Sequence, residues 1–346
     1  MIDNRNCSLL IVLVFCLSLI VIAFVLDSPN TILKGMYEII VAPDILLTDY
    51  IEVGGIGAAF VNAGIMGLIN LYLLNKFKSN INGLAMAAIF TVIGFSFIGK
   101  NVLNFWPIYL GGYLYSKAKK IEFKNIFLIL MFSTTLAPVV SEIAFGTHLS
   151  RHIGIPIGIF IGIIIGFIIT PLSAQMAKFH DGYNLYNIGF TGGILGTLIA
   201  SILRSFGLII ETQNILSEKY NMFLCILFSI VFFIFILIGY FINKYNLKEY
   251  KNIFKYTGRA STDFVELIGN GVTYINMGIM GLICIIYVLV SKGTFNGPVI
   301  AGILTVVGFA AYGKHPKNVI PILIGIILAS SISIWDMSST LVIIAG

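Results

Sequence analysis

Charge is scarce in this chain. Asp, Glu, Lys and Arg together make up 10% of its 346 residues, against 58% hydrophobic residues and a mean hydropathy of +0.99. A soluble domain carries roughly a quarter charged residues, so a water-soluble globular protein is excluded. Cysteine is also sparse: Cys7, Cys16, Cys225 and Cys284 are scattered, with neither metal-ligand spacing nor a disulfide framework. Of the four histidines, His148 and His152 form a pair with no third ligand nearby. No P-loop, nucleophile elbow, CxxC or dinucleotide-binding glycine motif occurs, and no cofactor or metal is expected. Basic residues outnumber acidic ones by 21 to 15, yet the lysines fall in short loops between apolar runs. That placement marks membrane topology, not nucleic-acid binding.

What fills the chain is a succession of apolar runs of about twenty residues, the pattern of an all-α, polytopic helical membrane protein. A β-barrel would show shorter, alternating segments. Candidate spans are 8–25, 54–75, 83–98, 102–116, 124–144, 154–172 and 185–206, then 221–243, 269–290, 297–312 and 318–334, with a fragment from Ser339. The count is about 11–12. The first run lacks a small-residue cleavage site and is read as an uncleaved span.

The chain also repeats itself. A shift of 214 positions aligns Thr48–Gly111 with Thr262–Gly325 without a gap, and about 27 of the 65 positions from Thr48 to Gly112 are identical. Asp49 meets Asp263, Glu52 meets Glu266, Lys100 meets Lys314 and Pro107 meets Pro321. Residues 1–220 therefore form one repeat and 221–346 a second. Seven spans per repeat is odd, so the second copy should face the opposite way across the membrane. Lysine placement agrees. Lys117, Lys119, Lys120 and Lys124 crowd one loop, while the matching Ser331–Ile334 is uncharged. With the N-terminus in the cytoplasm, the lysine loops lie inside, and the expectation is an inverted repeat in the cytoplasmic membrane. Gly346 aligns with Phe132, so nothing matches residues 133–206, and the expected full-length protein is longer than this chain.

Inverted repeats place binding sites where helices break, which singles out three segments. Asn62 and Asn276 sit at equivalent places in Gly-rich spans; each is either a helix-packing amide or a pore-lining one. Lys100 and Lys314 lie at the tips of paired spans of about 15 residues, roughly 22 Å of helix against a hydrocarbon core of ~30 Å. Such pairs form either re-entrant hairpins with a lysine tip that favours an anion or a carbonyl, or turns with snorkelling lysines. The run HDGYNLYNIGFTGGILG brings His180, Asp181, Asn184 and Asn187 to the start of a Gly-rich helix, where N–H donors face a solute and His180 can accept a proton. Asp49 and Asp263, each three residues before a Glu, have the spacing of a capping box. Glu142, in TTLAPVVSEIAFG, is an acid at a span end that needs a partner or an aqueous cavity.

The stretches SPNTILKGMYEIIVAPDILLTDYIEVGGIGAAFVNAG, TTLAP and HDGYNLYNIGF resemble a family of prokaryotic integral membrane proteins known only as a domain of unknown function. The resemblance implies a duplicated polytopic protein and no activity. It also implies that TTLAP and GGxNLYNxGF recur in the second copy, which they do not do here. A second likeness, of architecture, is to urea transporters: Asn82-Gly83, Pro107 and the run from Tyr186-Asn187 to Gly196 are similar to their span starts and pore helix. The leading expectation is a channel or transporter for a small polar solute, with the lipid bilayer as partner and a homo-oligomer allowed. The alternatives are an intramembrane transferase for a lipid-linked substrate, centred on His180 and Asp181, or a membrane scaffold.

Overall fold

The computed structural model describes residues 4–44, 47–147, 149–208, 214–332, 334 and 336–346. His148 of the histidine pair and Ser333 of the uncharged loop lie outside the described residues. In chain order the helices are α1 Asn4–Leu26, α2 Pro29–Val41, α3 Tyr50–Val53, α4 Ile56–Lys76, α5 Gly83–Phe95, α6 Trp106–Lys119, α7 Lys124–Ser133, α8 Ala137–Ser141, α9 Arg151–Phe179 and α10 Asn187–Ser205. They continue with α11 Asn221–Ile242, α12 Phe264–Ile268, α13 Asn270–Val290, α14 Gly297–Phe309, α15 Pro316–Ile332 and α16 Thr340–Ala345. Two short strands, β1 Leu47–Thr48 and β2 Asn214–Ile215, pair in parallel with Leu47 opposite Asn214.

Among the described residues, seven helical segments are long and apolar enough to cross a bilayer: Cys7–Leu26, Ile56–Lys76, Lys124–Gly146, Arg151–Phe179, Asn187–Ser205, Asn221–Ile242 and Asn270–Val290. The protein is therefore a multi-pass membrane protein. The expected 11–12 spans narrow to seven because α5 and α14, at 13 residues each, and α6, at 14, reach only about 20 Å, and α15, at 17 residues, about 25 Å. α4 and α13 are the most enclosed, each with 72% of its span window buried.

The chain divides into two compact units. One holds residues 11–79 and 95–216, the other residues 1–10, 80–94 and 217–346. The units do not coincide with the two sequence copies, because α5 belongs to the first copy yet packs within the unit built mainly from the second. Its buried face runs through Ile89, Phe90 and Ile93, and a Cβ on Gly94 would stand 2.9 Å from the Ala301 carbonyl oxygen of α14. Between apolar helices in lipid, such close backbone approach and its dispersion contacts carry the association.

Capping explains where several helices begin. Asp49 caps α3 through Ile51 N at 2.8 Å, and Asp263 caps α12 through Glu266 N at 3.2 Å, in line with the capping-box spacing. Asp263 also accepts from Gly83 N (2.9 Å) and Leu84 N (3.3 Å) at the start of α5, so one carboxylate serves two helix N-termini. Partial burial pushes its carboxyl above the ordinary range, while the backbone N–H groups pull it back. After each short helix the chain turns at a glycine, Gly55 (φ 83°, ψ 162°) or Gly269 (φ 85°, ψ 164°), a backbone region open essentially to glycine that costs other residues about 1–3 kcal/mol. α4 and α13 start there.

Span 124–146 is not one regular helix. α7 passes into a 3-10 turn over Thr134–Leu136, then α8, then a π-helical turn over Glu142–Gly146. Pro138 has no amide proton for the ladder. The hydroxyls of Ser133, Thr134 and Thr135 donate to carbonyls three or four residues back, which bends helices. Breaks of this kind within spans gather at functional sites.

Candidate functional site: a broken hairpin beside a broken helix

The tip between α5 and α6 is held by asparagines. Asn62, buried on α4, donates from Nδ2 to the carbonyls of Ser96 (2.7 Å) and Lys100 (2.8 Å). These carbonyls lie beyond the end of α5, where helical partners run out. Asn101 and Asn104 then close a turn on each other: Asn101 N donates to Asn104 Oδ1 (2.9 Å), and Asn101 Oδ1 accepts from Leu103 N and Asn104 N at 3.0 Å each. Gly99, at φ 64°, makes the reversal; a Cβ there would sit 2.7 Å from Pro138 Cγ.

The second copy repeats the core of this hinge. Asn276 donates to Ala310 O (2.7 Å) and Lys314 O (2.8 Å), His315 N donates to Asn318 Oδ1 (3.0 Å), and Asn318 Nδ2 donates to Gly313 O (2.8 Å). Asn104 Nδ2 makes the matching contact to Gly99 O at 2.8 Å. The shared register therefore fixes a shared tip geometry, within each unit separately.

Around that common hinge the copies differ. In the first, Asn104 Nδ2 also reaches Ser141 Oγ (2.9 Å) and Asp44 Oδ2 (3.3 Å), while the Tyr50 hydroxyl donates to Asp44 Oδ2 (3.1 Å) and Asn101 Nδ2 reaches the Tyr50 oxygen (3.2 Å) and Ile39 O (3.3 Å). Asp44, Asn101, Asn104, Ser141 and Glu142 are all buried. At the equivalent positions the second copy has Gly258, Phe264 and His315 in place of Asp44, Tyr50 and Asn101. Gly258 stands where Asp44 stands: a Cβ there would meet Asn318 Nδ2 and Gly313 O at 2.3 Å each. His315 turns its Nε2 to Tyr256 O (2.9 Å).

A cleft of about 720 Å³ opens beside the first hinge. Its walls are almost wholly apolar, with Trp106, Tyr109, Tyr113 and Phe127 among them; Asn101, Asn104 and Ser141 also border it, with their side-chain polar groups bonded within the hinge. The Tyr109 hydroxyl is tied to Asn70 of α4, which fixes one wall.

The residues singled out from sequence fall into three groups. Asn62 with Lys100, and Asn276 with Lys314, are joined at the two hinges as tethers of helix ends. Lys100 does not snorkel: it is 0% exposed, its Nζ donates no hydrogen bond, and the ammonium lies 5.5 Å from the Phe95 ring centroid. Lys314 is half-buried. His180, Asp181, Asn184 and Asn187 form the turn from α9 to α10. There His180 Nε2 meets Asn187 Oδ1 (2.9 Å), Asn187 Nδ2 donates to Ser173 O (3.1 Å), Asn184 Oδ1 accepts from Tyr186 N (2.9 Å), and Asp181 takes the left-handed φ of 47°. None of the four lines the cleft. Among the described residues no group of three or more His, Cys, Asp or Glu is placed to hold a metal ion.

Sequence reasoning passed over Asp44, Tyr50, Asn101, Asn104 and Ser141. Part of the signal was present in the repeat itself: Asp44 and Tyr50 stand where the second copy has Gly258 and Phe264, whereas Asn104 keeps its counterpart in Asn318. No curated protein and no solved structure matches the chain. The family described as a protein of unknown function (DUF1576) matches residues 28–205 and 242–345, more than half of the sequence, and the chain belongs to that family.

Proposed function

We propose that the protein is a membrane transporter whose solute occupies the cleft beside the first hinge, with an apolar body against the aromatic walls and Asn101, Asn104 and Ser141 at one edge. The observation that carries this reading is the cleft, about 720 Å³ and bounded by a broken hairpin and a broken span. Ligand sites are apolar concavities of this size with a few polar groups that orient the ligand, and transporters build them from interrupted helices. The aromatic walls favour an amphipathic solute over the small polar one, such as urea, suggested by the sequence. The transferase alternative draws less support, since His180 and Asn187 are spent on each other and on Ser173 O.

Reconstituted proteoliposomes test the reading with a panel of medium-chain and aromatic carboxylates and amides, run beside urea and small ions. Saturable uptake of an amphipathic member, reduced by Tyr109→Ala, is expected. No flux across the panel, or flux of urea alone, overturns it.

A further inference from the structure

The cleft is open along one side. Six of its lining residues are more than a third exposed, and all six are apolar or aromatic: Leu103, Trp106, Leu110, Tyr113, Ile155 and Ile159. The first four recur every three or four residues and form one stripe. Ile155 and Ile159 belong to the span Arg151–Phe179, about 6 and 12 Å along the helix from its charged start. A mouth so placed faces hydrocarbon, and a ligand reaches it from the bilayer. Among the described residues no charged side chain lines the cleft. At the hinge end the Asn101, Asn104 and Ser141 side chains are bonded within the hinge. The Trp106 indole N–H donates to Val102 O (3.0 Å), and the Tyr109 hydroxyl is tied to Asn70. These walls leave a ligand hydrocarbon and ring surface. About 720 Å³ encloses one drug-sized molecule, which suits a single alkyl chain and not the two chains of a phospholipid.

Positive charge stands further along α6. Tyr113 lies about 10 Å along the helix from Trp106 and packs edge-on to Phe123, with ring centroids 5.9 Å apart. The Lys117 ammonium is 5.4 Å from the centroid of the Tyr113 ring. Lys117, Lys119 and Lys120 are exposed, and among the described residues none of them forms an ion pair. The acid of the same loop, Glu122, is taken by Lys124 at 2.6 Å. We infer that the solute is a long-chain carboxylate of the fatty-acid kind: it enters from the bilayer, lays its alkyl chain along the cleft and sets its carboxylate beside Lys117. This inference rests on the transporter reading and names the solute class of that same cleft. A chain that passes from lipid into the cleft exchanges one apolar surrounding for another, so packing against the rings and charge at the head decide selection. A long-chain alcohol has the chain without the charge, and a phospholipid has one chain too many.

The test reads Trp106 fluorescence in the full chain carrying Trp335→Phe, which leaves Trp106 as the only tryptophan, in nanodiscs of zwitterionic phospholipid. The probe is stearic acid with a nitroxide quencher midway along its chain. Saturable quenching is expected, reversed by unlabelled oleic acid at about two- to fivefold lower concentration than by oleyl alcohol. Ile159→Phe, which puts a ring in the mouth, should weaken binding about tenfold, and Lys117→Gln about two- to fivefold. A reference tryptophan on α11, made by Phe233→Trp with Trp106→Phe and Trp335→Phe, replaces an exposed residue and should be quenched only in proportion to the probe. Quenching of Trp106 that does not saturate, equal competition by acid and alcohol, saturable quenching by a phospholipid bearing the same nitroxide chain, or binding unmoved by both cleft variants overturns the inference. The competition needs no cleft substitution and decides if either variant fails to fold. Uptake of a medium-chain or aromatic panel member without saturable probe binding defeats this inference and leaves the transporter reading intact; probe binding without uptake does the reverse.

Discussion

The side-chain amide of Asn104 reaches the carboxylate of Asp44 at 3.3 Å while its own carbonyl oxygen receives the Asn101 backbone amide at 2.9 Å. One residue thus joins the duplicated hinge to the unduplicated acid. Replacing it by Leu removes the hinge contacts to Gly99 O and Asn101 N, and takes the amide donor from Asp44 Oδ2. Unsatisfied buried groups cost about 1–3 kcal/mol each, so Asn104→Leu should destabilise by several kcal/mol. The readout is thermal unfolding in detergent with a thiol-reactive dye, which reports through the buried Cys16 and Cys284. Asn104→Asp keeps Oδ1 for Asn101 N but repels Asp44, and it should weaken solute uptake more than it lowers stability.

Lys100 allows the opposite expectation. Its Nζ is buried, makes no hydrogen bond and lies 5.5 Å from the Phe95 ring centroid. A buried ammonium without a partner is destabilising, and Met fills nearly the same volume without the charge. Lys100→Met should therefore melt at the same temperature as the unaltered protein or higher. A fall of several degrees would reveal an interaction of the ammonium with a group that the structure leaves apart from it.

Helix capping gives a third expectation. Asp263 accepts from Gly83 N, Leu84 N and Glu266 N and thereby fastens the starts of α5 and α12. A lost N-cap costs about 0.5–2 kcal/mol, and Asp263→Ala loses two. Destabilisation of about 1–4 kcal/mol is expected, while Asp263→Asn, which keeps an acceptor oxygen, should lose less. The comparison by dye-monitored melting separates capping from charge.

The sequence carried the fold's periodic parts well and its irregular parts poorly. Residues 221–243 and 269–290 were legible because a twenty-residue apolar run has few other uses, and the observed helices, Asn221–Ile242 and Asn270–Val290, differ by a residue at most. α2 was missed: it is an amphipathic helix of 13 residues, too short for a span, although Ser28 and Pro29 announce its start and Ile32, Gly35 and Ile39 its buried face. Hydropathy also hid the break in span 124–146, since Pro138 and three hydroxyl residues barely lower its average. Asn62 and Lys100 were both named from sequence, but the contact between them was not, because it depends on where α4 passes the end of α5. Asp44 escaped notice for a related reason: alone in a loop it resembles any surface acid, and only its burial against Asn104 and Ser141 distinguishes it.

Gly99 is where that dependence is sharpest. The residue holds φ at 64°, and a Cβ added to it would fall 2.7 Å from Cγ and 3.1 Å from Cβ of Pro138, with the Asp44 side chain at 3.6 Å. Alanine at this position meets two costs at once. The left-handed backbone is worth about 1–2 kcal/mol against an L residue, and the methyl group must push Pro138, a ring with little freedom to move. Because Pro138 belongs to the break that positions Ser141 and Glu142, the displacement should reach the acids as well as the hinge. Gly99→Ala is therefore expected to lower stability by about 2–4 kcal/mol and to reduce solute uptake in whatever fraction folds. Gly313→Ala in the second copy strains the equivalent turn at φ 90° and should lower stability while leaving the affinity for solute unchanged. A matched loss of solute affinity in both variants would show that the solute site does not belong to the first hinge.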